Sequence, residues 1–533
     1  MSGTRASEAA LVPARAAAPA ASRPERVVVA VVTAAFALLL TLWAVLTPMF
    51  EAPDEFTHWD AAVRLALDEG WPPPGEAQNL AASELARVTN YDIPPADRSS
   101  YGTLLEAAPG DHDFVNQMTQ HPPTYYALAG AVLDAVDFTH HRWDLGVLAL
   151  RLLSVALVAP LPLLTWATVR RLTRSPRTAI VAATTLLAVP QLAQIGSSVT
   201  SDAPIILLGA VTVWLTTRTI TGDRTWRTHL ALGTALGLAL ATKGTAFPAI
   251  PFVALALLLG DTTLPLARRA LRTLAVGATT AALGAWWWIH NLTTTGTLQP
   301  NGLIEQRPPT PWPAGEGPDL GVFTATFWDG VSSSFWGQLG RAKFPISPIV
   351  SDSLTVVALL VVACWAFRRV RGGRAVVLLA VLPVVIAAAM LGNGWNTYDQ
   401  TQGVYGVQGR YLYPALVVLV ALSAVAWRRL AATAPGRRRT ARTAVVLAPA
   451  LAAYGLWVAV SGFFPGTVGE PASVGTLTVG QSLPVPAAAF AVLAAVVAVA
   501  VVTACTLVWR AVGRVSDPPA SATTAAAADA PSC

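Results

Sequence analysis

Apolar stretches long enough to cross a bilayer recur along this chain from Val27 almost to Arg510, and that recurrence limits what the chain can become. A hydrocarbon core about 30 Å thick needs roughly 20 apolar residues in a helix, and inside it every backbone N–H and C=O must find a partner within the protein. Repeated runs of this kind leave one fold class: all-α, polytopic and integral to the membrane. Composition agrees, with 54% hydrophobic and only 12% charged residues, where a soluble domain carries about 25% charged.

The runs place spans at 27–47, 145–169, 178–195, 201–217, 229–242, 246–260, 273–290, 353–367, 375–392, 411–427, 443–464 and 486–509, about twelve in all (roughly 11–13). The loops test this layout. One alternating set carries Arg170/Arg171/Arg174/Arg177, Arg218/Arg224/Arg227, Arg268/Arg269/Arg272, Arg368/Arg369/Arg371/Arg374, and Arg428/Arg429 with Arg437 to Arg439. The short members of the other set carry almost no Lys or Arg. Basic loops stay in the cytoplasm, so both termini are expected inside, in a cytoplasmic (inner) membrane protein. The arginine loops also explain the net charge of +6 without a nucleic-acid partner.

The expected organisation is a disordered cytoplasmic N-terminus (1–26), a first transmembrane helix (27–47), a long outer loop (48–144), a helix bundle (145–290), a second large outer loop (291–352), C-terminal spans (353–510) and a disordered cytoplasmic tail (511–533). Further outer segments are expected at 393–410 and 465–485. No small-residue cleavage site follows Val27–Thr47, so this span is expected to be retained. Within the first outer loop, Tyr125–Val136 reads as a helix short for a span, interfacial or re-entrant; as a span it would invert every later loop against the charge rule. Cys364, Cys505 and Cys533 form no metal or disulfide spacing.

Candidate chemistry gathers on the outer side. Just after the first span comes Glu51-Ala-Pro-Asp54-Glu55-Phe-Thr-His58-Trp-Asp60. Pro53 can open a helix, and carboxylates suit its first turn. Asp54 and His58 then share a face one turn apart. They can act as a base and its orienting partner, or bind a divalent cation; a helix cap with interfacial charges explains the same residues. His121-Pro-Pro-Thr-Tyr125-Tyr126 reads on its own as an interfacial turn with aromatic anchors.

Two cations stand on the side that should lack them: Lys243 in Thr242-Lys243-Gly244, and Arg410 in Gln408-Gly409-Arg410-Tyr411-Leu-Tyr413-Pro414. Ionisable residues at membrane depth usually mark function, and a lipid phosphate or pyrophosphate is an anion of this depth. Snorkelling to headgroups is the structural alternative. Secondary candidates are Asp202, which helix capping by Ser201 or Asp202 would also explain, and Trp336 with Arg341 in an aromatic, basic stretch suited to lipid or sugar. Trp286-Trp287-Trp288 suits an interfacial belt, and Asn291-Leu-Thr293 is a sequon of the frequency expected by chance. No phosphate-binding Gly-rich loop, dinucleotide fingerprint, zinc-spaced set or nucleophile elbow is present. Without a nucleotide site, the energy for outward-facing chemistry must arrive with a lipid.

In their order, these motifs resemble the GT-C superfamily of polytopic membrane glycosyltransferases. The residues that carry the likeness are Asp-Glu with a nearby His after the first span, His-Pro-Pro-x-Tyr-Tyr, Leu-Ala-Thr-Lys-Gly between two short spans, Trp-Trp-x-x-His-Asn-Leu, and Gln-Gly-Arg-Tyr-Leu-Tyr-Pro. The nearest pattern is a bacterial, chiefly actinobacterial, branch of predicted membrane proteins (domain of unknown function 2142), over roughly residues 27 to 430. The resemblance implies a GT-C-like fold, a polyprenyl-phosphate-linked sugar donor, and a cell-envelope glycan or glycolipid acceptor, with membrane lipids as surroundings. It implies Asp54 as catalytic base with Glu55 as second carboxylate, the two binding a divalent cation (Mg or Mn) where one is used. His58, His121 and Tyr125 would contact the substrate, while Lys243 and Arg410, with Gln408 and Tyr411 beside it, would hold the carrier phosphate. The chain departs from the superfamily in two respects: 291–352 offers only scattered acids (Glu305, Glu316, Asp319, Asp329), and its last part is expected to be a span and a cytoplasmic tail where many members carry a folded outer domain. Two other classes fit a polytopic chain, a flippase for lipid-linked glycans and a non-catalytic assembly subunit. A transport path needs polar residues at mid-span, and here the charges gather at one surface.

Overall fold

The computed structural model describes residues 20–89, 93–302, 308–367, 373–464 and 482–514. Glu305, Arg368, Arg369, Arg371, Cys533 and most of both tails and of 465–485 lie outside the described residues.

The first helix, α1 (Arg23–Leu46), begins where Ser22 accepts a hydrogen bond from the Glu25 amide, one of the donors a helix start leaves unpaired. Next comes a small folded cap: α2 (Glu55–Ala66), α3 (Ala81–Thr89), α4 (Tyr101–Ala107) and α5 (Thr124–Ala135). Between them β1 (Gln78–Leu80) and β2 (Asp111–Val115) pair antiparallel, with Gln78 opposite Val115. The cap has its own core, in which Trp59, Tyr101, Tyr126, Leu133 and Trp143 are fully enclosed. As the sequence indicates, α5 is a 12-residue surface helix, about 18 Å long and too short to span. It packs on α2.

The bundle resumes with α6 (Trp143–Val158) and α7 (Leu161–Thr173), which together make one 31-residue passage. After them come α8 (Pro176–Thr184), α9 (Pro190–Ile195), α10 (Asp202–Ile220), α11 (Trp226–Leu240), α12 (Ala249–Leu259), α13 (Leu266–Gly284) and α14 (Trp286–Thr295). The rest comprises α15 (Leu320–Trp336), a short turn α16 (Leu339–Ala342), α17 (Pro348–Phe367), α18 (Arg374–Thr401), α19 (Leu416–Leu430), α20 (Ala434–Phe463) and α21 (Ala487–Arg514).

Among the described residues eight helices are long and apolar enough to cross a membrane. The expected spans at 178–195, 229–242, 246–260 and 273–290 fall instead on short or interrupted helices. At 178–195 the interruption has a visible cause: Pro190 cannot donate to the preceding turn, so α8 closes in a 3₁₀ turn at Thr185–Ala188 and α9 starts afresh. α18 runs on to Thr401, so much of the expected outer segment 393–410 is helix. The tryptophan triplet is not a uniform belt. Trp286 is exposed, whereas Trp287 and Trp288 are buried and Trp288 Nε1 donates to the Leu240 carbonyl at 3.0 Å.

The two ends of the bundle differ in charge. Arg171 donates to Thr221, Arg428 to the Thr173 carbonyl, Arg272 to the Arg224 carbonyl and Arg374 to Thr262. The arginine-bearing loops are therefore tied to one another at one end, and the α2–α5 cap sits at the other.

Candidate active site

The site grows from the turn that joins α1 to α2. Asp54 holds a left-handed backbone (φ 57°, ψ 8°) immediately before α2, and its side chain makes no capping hydrogen bond. This conformation is uncommon for residues other than glycine, though Asp and Asn tolerate it best. It turns the carboxylate away from the helix start and toward Arg410, whose Nη2 donates to Asp54 Oδ2 at 2.6 Å. Arg410 sits on a 3₁₀ turn, Gly409–Ala415, that leads into α19. That turn is clamped from α15: the Gly409 amide donates to Ser334 Oγ at 2.6 Å, and Tyr413 Oη donates to the Phe335 carbonyl at 2.7 Å. Tyr411 lies under the guanidinium, 5.7 Å from its ring centre.

Asp202, the first residue of α10, continues the chain of charges. Its Oδ1 accepts from Lys243 Nζ at 2.6 Å, and its Oδ2 lies 3.8 Å from Arg410 Nη1. The capping reading of this segment is corrected: Ser201 makes no side-chain cap, and Thr200 Oγ1 instead accepts from the Asp202 amide at 3.1 Å. Asp54, Arg410, Asp202 and Lys243 thus form one alternating row of carboxylate and cation. Asp202, Lys243 and Arg410 are buried, at 8%, 8% and 6% exposure. Only the Asp54 side chain is open, at 42%.

The histidines close one side. His58 Nδ1 is 2.8 Å from Tyr126 Oη, its Nε2 is 3.5 Å from Thr200 Oγ1, and its ring stacks on Tyr126. Burial, then the nearby Lys243 charge, pushes His58 down to about 3. The same two causes, in the same order, hold His121 well below its ordinary value. Both are neutral imidazoles at pH 7. For Asp54, partial burial works upward, but Arg410, His58 and Lys243 outweigh it and keep the carboxyl below the usual range. Buried polar atoms without a partner remain at Arg410 Nε and His121 Nδ1. An interior that leaves such groups unpaired is either strained or shaped for a ligand.

The sequence-selected residues sort into two groups. Asp54, His58, His121, Lys243, Arg410 and Asp202 fall within mutual electrostatic range, with Tyr125 beside His58 and Tyr411 beneath Arg410. Glu55 does not join them. Its two oxygens accept from Arg151 Nε and Nη2 at 2.8 and 2.7 Å, and from the Phe50 and Val199 amides. Arg151 also donates to the Ala44, Thr47 and Pro48 carbonyls. Glu55 is a structural anion that ties α2 to α6 and to the end of α1.

The carboxylates expected to share a divalent cation therefore do not converge: Glu55 faces Arg151, and Arg410 stands against Asp54. Among the described residues no three His, Cys, Asp or Glu side chains cluster as a metal site. The donor set does not fit a resident cation. Gln408 contributes its carbonyl to the Tyr411 amide, Trp336 donates to Thr355 Oγ1 at 2.8 Å on the α15–α17 face, and Arg341 is exposed; none joins the row.

Sequence reasoning missed Arg151 and Tyr126. Arg151 had a signal, an arginine within an apolar run. Tyr126 had one too, as the last residue of the His-Pro-Pro-x-Tyr-Tyr motif, but was read only as an aromatic anchor.

A family model described as "Predicted membrane protein (DUF2142)" matches residues 36–419. The chain belongs to that family. The matched stretch takes in the whole charged row, from Asp54 to Arg410. No curated protein matches. Among solved structures, the chain is similar to ArnT from Cupriavidus metallidurans bound to undecaprenyl phosphate, at 13% identity over 91% of this chain and 75% of that one, TM-score 0.48. It is also similar to the oligosaccharyltransferase AglB from Archaeoglobus fulgidus with an inhibitory peptide and a dolichol-phosphate, at 12% identity over 95% and 58%, TM-score 0.40. A third likeness is to the Pmt1–Pmt2 protein O-mannosyltransferase complex of S. cerevisiae bound to the sugar donor, at 16% identity over 54% and 35%, TM-score 0.35. TM-scores below 0.5 establish no shared activity, so the chemistry of the DUF2142 chain rests on its own geometry.

Proposed function

We propose that the protein is a membrane glycosyltransferase that moves a sugar from a polyprenyl-phosphate donor to a cell-envelope glycan or glycolipid, on the outer face of the cytoplasmic membrane. The observation that carries this reading is the row's one open carboxylate, Asp54, set against two buried cations at the mouth of a helix bundle. A hydroxyl acceptor needs a base and a phosphate leaving group needs positive charge, and the row supplies both within one ion-pair chain. The arginine-bearing loops lie at the far end of the bundle, which supports cytoplasmic termini and an outward-facing site.

In this scheme the donor phosphate draws Arg410 from Asp54 and leaves that carboxylate free to act. Asp54 takes the acceptor hydroxyl proton as its oxygen attacks the anomeric carbon. The bond from that carbon to the phosphate oxygen breaks with its electron pair going to the phosphate. Lys243 and Arg410 stabilise the charge as it develops. One displacement inverts the anomeric carbon.

Purified protein in liposomes, given radiolabelled sugar on polyprenyl phosphate, tests this directly. The expected outcome is transfer by the wild type, reduced about 10²-fold or more in Asp54→Asn and in Arg410→Ala. Absent turnover with glycolipid crossing the bilayer would make the protein a flippase. Full activity in Asp54→Asn would remove the base assignment.

A further inference from the structure

The charged row is balanced before any substrate arrives. Lys243 and Arg410 face Asp202 and Asp54 at 2.6 Å each, with a further contact of 3.8 Å between Arg410 and Asp202. The neighbouring ionisable groups add nothing. His58 and His121 are uncharged, because burial and then Lys243 disfavour their cations. Glu55 and Arg151 neutralise each other at 2.7 Å, and Glu51 lies 3.5 Å from Lys343. Two cations would suit a two-phosphate anion if they were free, but Asp202 is a buried, permanent competitor for both. Beyond that balance the site offers the neutral His121 Nδ1 and one unused N–H of the already paired Arg410 guanidinium, Nε, but no further charge.

We infer that Asp202 sets the carrier the site accepts, admitting a lipid monophosphate and excluding a lipid diphosphate. This rests on the transferase reading for the ligand's being a polyprenyl carrier. A sugar monophosphate diester brings one negative charge. As it reacts, the leaving phosphate gains a second charge while Asp54 gains a proton, so the total charge in the buried site does not change. With the row balanced, the monophosphate leaves the site one negative charge in excess, and a sugar diphosphate leaves two at every stage beside a buried carboxylate with no spare cation, where each added uncompensated charge is strongly disfavoured. Asp202 never touches the sugar in this account; it is a specificity-determining residue acting through Lys243 and Arg410.

Binding of undecaprenyl phosphate and undecaprenyl diphosphate to the full chain in nanodiscs tests the assignment, in EDTA and again in Mg²⁺. The wild type is expected to hold the monophosphate about tenfold or more tighter in both conditions. Asp202→Asn, close in shape and one charge lighter, should admit the diphosphate and bring the ratio within about threefold; a melting curve reports whether that variant is folded. Equal affinity for both carriers in the wild type, or an unchanged ratio in folded Asp202→Asn, overturns the assignment. If that variant does not fold, Asp202→Ser, smaller and equally neutral, takes its place, and an unchanged ratio in it overturns the assignment in the same way. Turnover with equal binding would sink the Asp202 role only, whereas failure to bind either carrier would count against the transferase reading itself.

Discussion

Adjacent carboxylates in one turn have opposite fates here, and each can be tested alone. Asp54 is open and turned to Arg410 by a left-handed backbone, while Glu55 is fully buried and saturated by Arg151 and two amides. Asp54→Asn keeps the shape and tolerates the same backbone, and Arg410 keeps Asp202 at 3.8 Å, so transfer should fall by about 10²-fold or more with a smaller drop in melting temperature than a fully stranded charge would give. Glu55→Gln should do the reverse. It strands the buried Arg151 charge, costing about 3–5 kcal/mol, read as a lower unfolding midpoint with residual activity in whatever remains folded. Acid dependence follows from Asp54 too. Its folded value lies below the usual one, so the base form is present above that value and is lost only as pH falls through it. For the free enzyme kcat/KM should stay flat down to about pH 4. No inflection should appear near 6.5 from His58, already neutral there; one at that pH would contradict the burial described. The sequence revealed Asp54, His58, Lys243 and Arg410 because acidic clusters and misplaced cations stand out in an apolar chain. It could not separate Asp54 from Glu55, since the choice depends on Arg151, 96 positions away. Nor could it lift Asp202 above a helix cap, because Ser-Asp before an apolar run looks the same whether or not a lysine waits across the bundle.

Helices deliver these residues, and their spacing depends on close approach. α10 carries Asp202, and the turn carrying Arg410 crosses it at Gly209. A Cβ added there would lie 2.5 Å from the Pro414 carbonyl oxygen and 2.8 Å from its Cα, and that backbone cannot yield as a flexible side chain would. Gly409 meets α15 in the same way, against the Val331 carbonyl. Gly209→Ala should therefore push the Arg410 turn off α10, lower transfer and cost about 1–3 kcal/mol of stability. Activity and melting temperature equal to wild type would show that the contact is looser than described. None of this was visible in the sequence, where Gly209 is one small residue in an apolar run. The sequence did place α5 at the surface, because charge alternation in the later loops left no room for another span. Where an expected span falls on interrupted helix, at 178–195 for example, hydropathy could not register that Pro190 divides one apolar run into two short helices.

At the scale of the molecule, the separation of arginine loops from the α2–α5 cap makes a topological prediction. In a background without cysteines, Thr310→Cys should react with an impermeant maleimide in intact cells, and Arg227→Cys only after the membrane is opened. The opposite pattern would place the Asp54 row in the cytoplasm and remove the outer-face chemistry. The packing of the first described helix against the last has a consequence for biosynthesis. The Arg23 half of α1 buries Val28, Val29, Val32 and Ala35 in a cluster completed by Ala504, Val508 and Val512 of α21. That partner lies more than 460 residues downstream, so at about 5–20 residues per second the ribosome needs roughly half a minute or longer to make it. Throughout that interval one flank of the first helix must be shielded by lipid or by the insertion machinery, and truncation before α21 should leave a nascent chain prone to quality-control degradation.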